Sequence, residues 1–340
     1  MNDYYELLGS NGSPYSRKLL AILRYRRLPH IWRLRRPALE QETAHVKPYL
    51  QPMLKFPGDS IWHVDTTPLI YELERRHAPR SIVPPDAGSA FLAHLVEDFA
   101  DEWLTKAMFY YRWCDDKTAR CAAHCIAVDT MPSSDATALD ASAATFMDRQ
   151  RGRMALVGCD AVNAPIIEAS FHSLLAALGD LAAAAQFLFG DRPCLADFGL
   201  YGQLTQLVTD PLPQRIVRER APSVEAWVMF LDDASGCEGE WDPDEQLAAR
   251  ARKRILELVG TYYIPFLRAN AAALRAQRDK LQIELGGLPY EQVPFGYQLK
   301  CLNALCDHWN TLDSTTQARL LKMFEACGCD ASVFSREVPL

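Results

Sequence analysis

Tyr4-Tyr5-Glu6-Leu7-Leu8-Gly9-Ser10-Asn11-Gly12-Ser13-Pro14-Tyr15-Ser16-Arg17-Lys18-Leu19-Leu20-Ala21-Ile22-Leu23 reads as a short strand, a polar turn and a helix. Tyr4 to Leu8 is aromatic and apolar enough for a strand, and Gly9-Ser10-Asn11-Gly12 is the cluster that breaks it. The helix starts at once. Ser13 is a favoured N-cap, and Pro14 suits the first helical position because its missing N–H would be unpaired there. Leu19, Ile22 and Leu23 supply a buried stripe. A helix N-terminus presents unpaired N–H groups and partial positive charge, so an anion beside Ser13, a thiolate among them, is stabilised there. Taken alone, Ser13 is no more than a cap.

The arginines between Arg24 and Arg36 read as a helix end followed by a solvated strand at Ile31-Trp32-Arg33-Leu34, rather than as a basic patch for an acidic partner. Two apolar runs, one through Tyr49, Leu50, Met53, Leu54 and Phe56 and one through Ile61, Trp62 and Val64, then flank Pro57-Gly58-Asp59, which predicts a hairpin. Asp65-Thr66-Thr67-Pro68 closes it and offers a cap for a helix from Leu69 to His77.

These pieces, in their order and approximate spacing, resemble the cytosolic glutathione transferases with their thioredoxin-like first domain. The resemblance implies that Ser13, at the start of the first helix in Ser-Pro-Tyr-Ser, hydrogen-bonds the glutathione thiolate and is the catalytic residue. It implies a cis proline before the third strand, here Gln51-Pro52, with the backbone of the preceding residue pairing the cysteinyl part of glutathione. Pro48 is a less well spaced candidate. It further implies that Asp65-Thr66 holds the γ-glutamyl end. Asp65 would take the ammonium, and Thr66 with the helix N–H groups would take the carboxylate.

No cysteine precedes Cys114, and positions 13 and 16 are serines, so thiol–disulfide exchange by this domain is not expected. Conjugation of glutathione to a small hydrophobic electrophile, glutathione-dependent ether or halide cleavage, and isomerisation all use the same thiolate and stay open. A different class of reading, a non-catalytic scaffold of this fold that binds a protein partner, stays open beside them. The family resemblance also implies a homodimer.

With 340 residues, 49% of them hydrophobic, the chain is long enough for two domains or for three with a small terminal one. A net charge of −7 argues against nucleic acid as the main partner. The acidic start lacks the basic, then apolar pattern of a signal peptide, and no uninterrupted apolar run approaches membrane-spanning length, so a cytoplasmic protein without a membrane partner is expected. The ten cysteines read as reduced thiols rather than a disulfide framework. Cys121, His124 and Cys125 would share a helix face, but a fourth ligand is not evident, and Cys327-Gly328-Cys329 defines no site. No metal is expected.

After the linker Pro84-Pro85-Asp86-Ala87-Gly88 the pattern turns helical, with Phe91, Leu95, Phe99, Trp103, Ala107 and Tyr111 as a core stripe. Glu97, Asp98, Asp101 and Glu102 on the other face are expected to be solvated or at a subunit contact. Trp103, Phe109, Tyr110 and Trp113 lie on the helix that, by the resemblance, borders the electrophile pocket, although aromatics at this spacing are more often core. Thr130 to Ser142 reads as a loop. Cys194 and Asp197 stand where the family has a capped central helix, and the thiol is a poor cap.

Beyond Leu231 the resemblance fades. Leu247, Ile255, Leu256, Leu258, Tyr262, Tyr263 and Phe266 still imply packed helix. Leu281 to Leu285 reads as a strand followed by a Gly-Gly turn, and Phe295 to Cys306 and Ala318 to Cys327 as helices. Such an extension would cover the pocket, add to a dimer contact or bind another protein, and a lid is preferred. The expected architecture is thus an α/β thioredoxin-like domain (1–83), an all-α glutathione-transferase C-terminal domain (89–236) and a mainly helical extension (237–340).

Overall fold

The computed structural model of the chain describes residues 3–132, 134–242 and 244–334. The opening stretch folds as its chemistry predicts, with β1 (Tyr5–Gly9) followed by α1 (Pro14–Tyr25) and β2 (His30–Leu34). β1 and β2 are parallel, and a helix is the usual way to connect such a pair. After a short α2 (Pro37–Thr43) come β3 (Met53–Lys55), β4 (Trp62–Val64) and α3 (Thr66–Arg76). β3 runs antiparallel to both β1 and β4, giving a four-stranded sheet of order β2-β1-β3-β4. This is a thioredoxin-like sheet-and-helix unit, and the hairpin turns at Phe56 to Asp59 as expected. Sequence reading passed over α2.

The helical part begins with α4 (Ala87–Phe99), which runs through a π-helical segment (Ala100–Leu104) into α5 (Thr105–Cys114). Then follow α6 (Asp116–Thr130), α7 (Ala136–Arg151), α8 (Ala164–Ala183), α9 (Leu195–Leu207), α10 (Pro211–Arg220) and α11 (Pro222–Asp232). α9 is buried along its whole length, in keeping with a helix apolar on every side, and α1 and α4 pack against it. Asp197 caps its start from within, accepting the Cys194 N–H at 2.9 Å and the Leu188 N–H at 3.0 Å.

One expectation needs correction here. The loop expected from Thr130 to Ser142 is shorter, because Asp135 accepts the Ala138 N–H and starts α7 at Ala136; Ser133 lies outside the described residues. α8 is long and apolar enough by length and composition to cross a membrane, but Glu168, His172 and Asp180 interrupt its apolar run, as expected from the sequence, and it packs against α11 and α12 (Gln246–Leu258).

The remaining chain is ordered and packed. After α12 a second π-helical segment (Val259–Tyr263) leads into α13 (Ile264–Arg275), the hairpin β5 (Leu281–Leu285) and β6 (Leu288–Gln292), then α14 (Gly296–Asn310), α15 (Ser314–Ala326) and a 3-10 turn (Ala331–Val333). Its aromatics enclose Phe91 of α4, with Trp309 and Phe334 each 5.3 Å from that ring and Phe324 at 6.3 Å. β6 was not anticipated. It reverses the chain at Gly286-Gly287, both of which have positive φ, so the turn explains that glycine pair.

Candidate active site

α1 begins at a turn held from several sides. Arg112 of α5, itself paired with Asp210 at 2.6 Å, donates to the Gly12 carbonyl at 2.9 Å, and Gln206 of α9 donates to the Asn11 carbonyl at 3.1 Å. The Asn11 N–H and side-chain amide reach Asp129 of α6 at 3.2 and 3.1 Å. At the helix start the Ser13 hydroxyl oxygen accepts the Ser16 N–H at 3.2 Å. That is capping geometry, and it leaves the Ser13 hydroxyl proton available to a partner in front of the helix.

The other expected residues converge on one cavity of about 390 Å3 between the sheet unit, α4 and α14. Gln51, Asp65 and Thr66 line it; Pro52 is buried next to Gln51, and the Gln51–Pro52 bond is cis, as is Lys47–Pro48. The Gln51 amide, with its oxygen toward Arg35, accepts from that guanidinium at 3.0 Å. Ser13 is not part of this cavity wall. The α1 side chain that reaches it is Tyr15, whose hydroxyl donates to the Asp101 carbonyl at 2.9 Å; burial holds that phenol well above its ordinary range.

Asp65 adopts φ +79°, an uncommon backbone conformation for a residue with a side chain, and its carboxylate does not cap α3. It turns instead to the extension. The Tyr297 hydroxyl donates to its Oδ1 at 3.0 Å and Lys300 Nζ to its Oδ2 at 2.7 Å, both from α14. Thr66 is buried at the first position of α3. Sequence reading missed Tyr297 and Lys300, because nothing local in α14 signals that its first turns face a helix start more than two hundred residues earlier.

The acidic face of α4 also departs from expectation. Glu97, Asp98 and Asp101 are buried, and Asp98, Asp101 and Glu102 line the cavity. The reason is Lys18 of α1, whose ammonium is fully buried and donates to Glu97 Oε1 at 2.8 Å and to Asp101 Oδ2. Burial works against that charge, but Asp101 and Glu97 outweigh it and hold Lys18 above its ordinary range. Among the carboxyls, burial pushes Asp98 up to about 7 against the Tyr263 hydroxyl that donates to it at 2.6 Å. Burial likewise pushes Asp101 up to about 7 against the pull of Lys18. Desolvation, with Asp98 and Asp101 close by, drives the half-buried Glu102 well above its range. Burial thus favours the protonated form of the carboxyls on the cavity floor.

Cys301 of α14 lies in the same wall, and burial together with Asp98 and Glu102 keeps its thiol far above the usual range. Tyr15, Asp101, Glu102 and Tyr297 are shared with a neighbouring cavity of about 270 Å3, whose far side holds Phe109, Val157 and Phe295. Of the four aromatics weighed for the electrophile pocket, Phe109 lines this second cavity, while Trp103 packs with Tyr262, Phe266 and Tyr290 and Trp113 with Phe146. Cys121 and Cys125 are exposed on α6, and no cluster able to hold a metal occurs among the described residues.

Comparison with known proteins places this arrangement. Residues 134–228 match the family model described as glutathione S-transferase, C-terminal domain. A comparison with curated proteins finds no match. Among solved structures, a glutathione S-transferase from Methylobacterium radiotolerans JCM 2831 in complex with glutathione sulfonate is 19% identical. It aligns over 72% of this chain and 99% of its own, with a TM-score of 0.44. A beta-etherase from Sphingobium sp. strain SYK-6 is 17% identical over 67% of this chain and 94% of its own, with a TM-score of 0.46. A maleylacetoacetate isomerase from Anaeromyxobacter dehalogenans 2CP-1, with dicarboxyethyl glutathione and citrate bound, is 19% identical over 72% of this chain and 92% of its own, with a TM-score of 0.34. The chain thus joins a region that matches the glutathione S-transferase C-terminal domain to a thioredoxin-like N-terminal unit.

Proposed function

We propose that the protein is a glutathione-dependent enzyme that activates the glutathione thiolate for attack on a small hydrophobic electrophile. The observation that carries this reading is the convergence of Gln51, Asp65 and Thr66 on one cavity at the start of α3, beside the cis Gln51–Pro52 bond. Glutathione lies along Gln51-Pro52 with its γ-glutamyl end at Asp65-Thr66. Asp65 takes the ammonium, and Thr66 with the first N–H groups of α3 takes the carboxylate.

Its sulfur is directed at the start of α1. There the helix dipole and a hydroxyl donor lower the thiol pKa from about 8.5 toward neutral. Ser13, with its proton free, is the proposed donor; Tyr15, the hydroxyl that reaches the cavity, is the alternative. The thiolate forms a bond to carbon, the leaving group departs with its electron pair, and the protonated carboxyls of the cavity floor are placed to supply its proton. Conjugation, ether or halide cleavage and isomerisation share the thiolate attack on carbon; in isomerisation a π bond opens in place of a leaving group, and it re-forms when the thiolate departs.

We extend the proposal to a division into residues 1–83, 89–236 and 237–340, to a cytoplasmic homodimer, and to an extension that acts as a lid on the cavity. The test is turnover of 1-chloro-2,4-dinitrobenzene with glutathione, beside calorimetric binding of glutathione. Ser13→Ala should lower kcat about 10- to 100-fold with glutathione affinity nearly kept, as for loss of one donor to a developing anion. Full turnover in Ser13→Ala together with loss in Tyr15→Phe would move the role to Tyr15. Asp65→Ala should weaken glutathione binding itself.

A second reading, a scaffold that no longer uses glutathione, is favoured by one observation, that the Asp65 carboxylate already has partners from its own chain in Tyr297 and Lys300. Absence of glutathione binding by the wild-type protein would select it.

A further inference from the structure

Lys300 and Tyr297 invite a sharper question than whether the site is closed. The Asp65 carboxylate receives one donor on each oxygen, Tyr297 on Oδ1 and Lys300 on Oδ2, and each oxygen keeps a further acceptor position. An added ammonium at Asp65 would sit beside the Lys300 ammonium, and two cations on one carboxylate leave an excess positive charge. A ligand that brings a carboxylate on the same carbon as its ammonium removes that excess, because Asp65, the ligand ammonium, Lys300 and the ligand carboxylate then alternate in sign. Lys300 can reach such a carboxylate. Its side chain is 63% exposed and lies over the Tyr297 ring at 5.3 Å, and among the described residues its ammonium pairs only with Asp65.

Two further groups in the same wall lack partners among the described residues, the buried Tyr71 hydroxyl and Oδ1 of Asp101. Asp101 is only 7% exposed, so that oxygen has little water to satisfy it. Unpaired polar atoms lining the same cavity as the charged pair mark that cavity as a place for a polar ligand rather than a closed seam.

We propose that the extension supplies half of the amino-acid recognition site: Lys300 of α14 binds the α-carboxylate of a ligand whose α-ammonium is held by Asp65, with Tyr297 fixing the Asp65 carboxylate between them. The ligand class is a compound with a free α-amino-acid terminus, and the assignment rests on the glutathione reading above. It gives α14 a direct part in binding, beyond covering the cavity, and makes the specificity of the thioredoxin-like unit depend on residues of the far end of the chain.

The test uses the full-length protein, S-methylglutathione, and its analogue lacking the γ-glutamyl α-carboxylate, with affinities from calorimetry. Lys300→Gln should weaken S-methylglutathione about fivefold or more and leave the decarboxylated analogue unchanged, so that the wild-type preference between the two ligands shrinks by that factor. Tyr297→Phe should weaken both ligands, since it acts through Asp65. Tighter binding of S-methylglutathione by Lys300→Gln would overturn the inference and make Lys300 a competitor for Asp65. An equal loss for both ligands, or no loss, would overturn it as well. Failure of the wild-type protein to bind either ligand would refute the glutathione reading itself, and the inference with it.

Discussion

Replacing Lys18 by methionine removes the buried cation that pairs with Glu97 and Asp101 between α1 and α4 while keeping most of the side-chain volume. In the native protein the ammonium is fully buried and donates to Glu97 Oε1 at 2.8 Å and to Asp101, and Glu97 Oε1 also accepts from Thr67 at 2.8 Å. Removing one partner of a buried pair costs about 3–5 kcal/mol, because the other charge stays buried without compensation. The folded variant escapes part of that cost by keeping a proton on a cluster carboxyl that the unfolded chain releases. The folded state then binds more protons than the unfolded state above the ordinary carboxyl pKa, so stability relative to wild type falls as pH rises, by about 1.4 kcal/mol per pH unit for each carboxyl held neutral.

Between pH 5.5 and 7 the deficit of Lys18→Met should therefore widen by about 2 kcal/mol. Urea unfolding of the two proteins at pH 5.5, 6.25 and 7 measures it. Adding Glu97→Gln should recover most of the loss and flatten the pH dependence, since a neutral amide needs no counter-charge. A deficit under about 1 kcal/mol, or one that does not change with pH, would show that Lys18 is not what sustains the buried carboxyls.

Three other outcomes follow from the packing. A Cβ at Gly199 of α9 would come within 2.8 Å of the Glu97 Cα, so Gly199→Ala should force α4 and α9 apart and cost about 1–3 kcal/mol in chemical unfolding. Cys194→Ser puts a better acceptor at the N-cap of α9, where Asp197 already accepts the Cys194 N–H at 2.9 Å, and should raise stability by a few tenths to about 1 kcal/mol; a lower thermal midpoint would refute this. Asp197, which burial pushes up to about 6, binds a proton more tightly folded than unfolded. Asp197→Asn should accordingly remove part of the decline in stability between pH 4 and pH 6, as measured by thermal unfolding.

The elements visible in the sequence are those whose cause is local. β1, the Ser13-Pro14 helix start, the hairpin around Gly58 and the strand at Leu281 to Leu285 all follow from turn residues, caps and periodicity within a few positions. The helix start at Asp65-Thr66 was legible because helix starts have a chemistry of their own.

What was not legible depends on distant partners. Glu97, Asp98 and Asp101 look like a solvated face until Lys18, some eighty positions earlier, is brought against them, and Lys18 itself reads as an ordinary surface residue of α1. Tyr297 and Lys300 carry no motif, and only the path of the chain over the cavity shows what they touch. Ser13 shows the reverse limit, since capping and catalysis ask for the same residue at the same place, and local pattern does not separate them.

The position of Cys301 has a consequence for how such an enzyme would survive its own substrates. Among the described residues the cavity wall carries the Cys301 thiol, and burial together with Asp98 and Glu102 favours its protonated form well beyond the ordinary range. A protonated thiol is a poor nucleophile. On the proposed function, the same burial that raises the carboxyls of the cavity floor would disfavour attack by the resident sulfur, so that an incoming electrophile would meet the diffusible peptide thiol first and the protein would be spared.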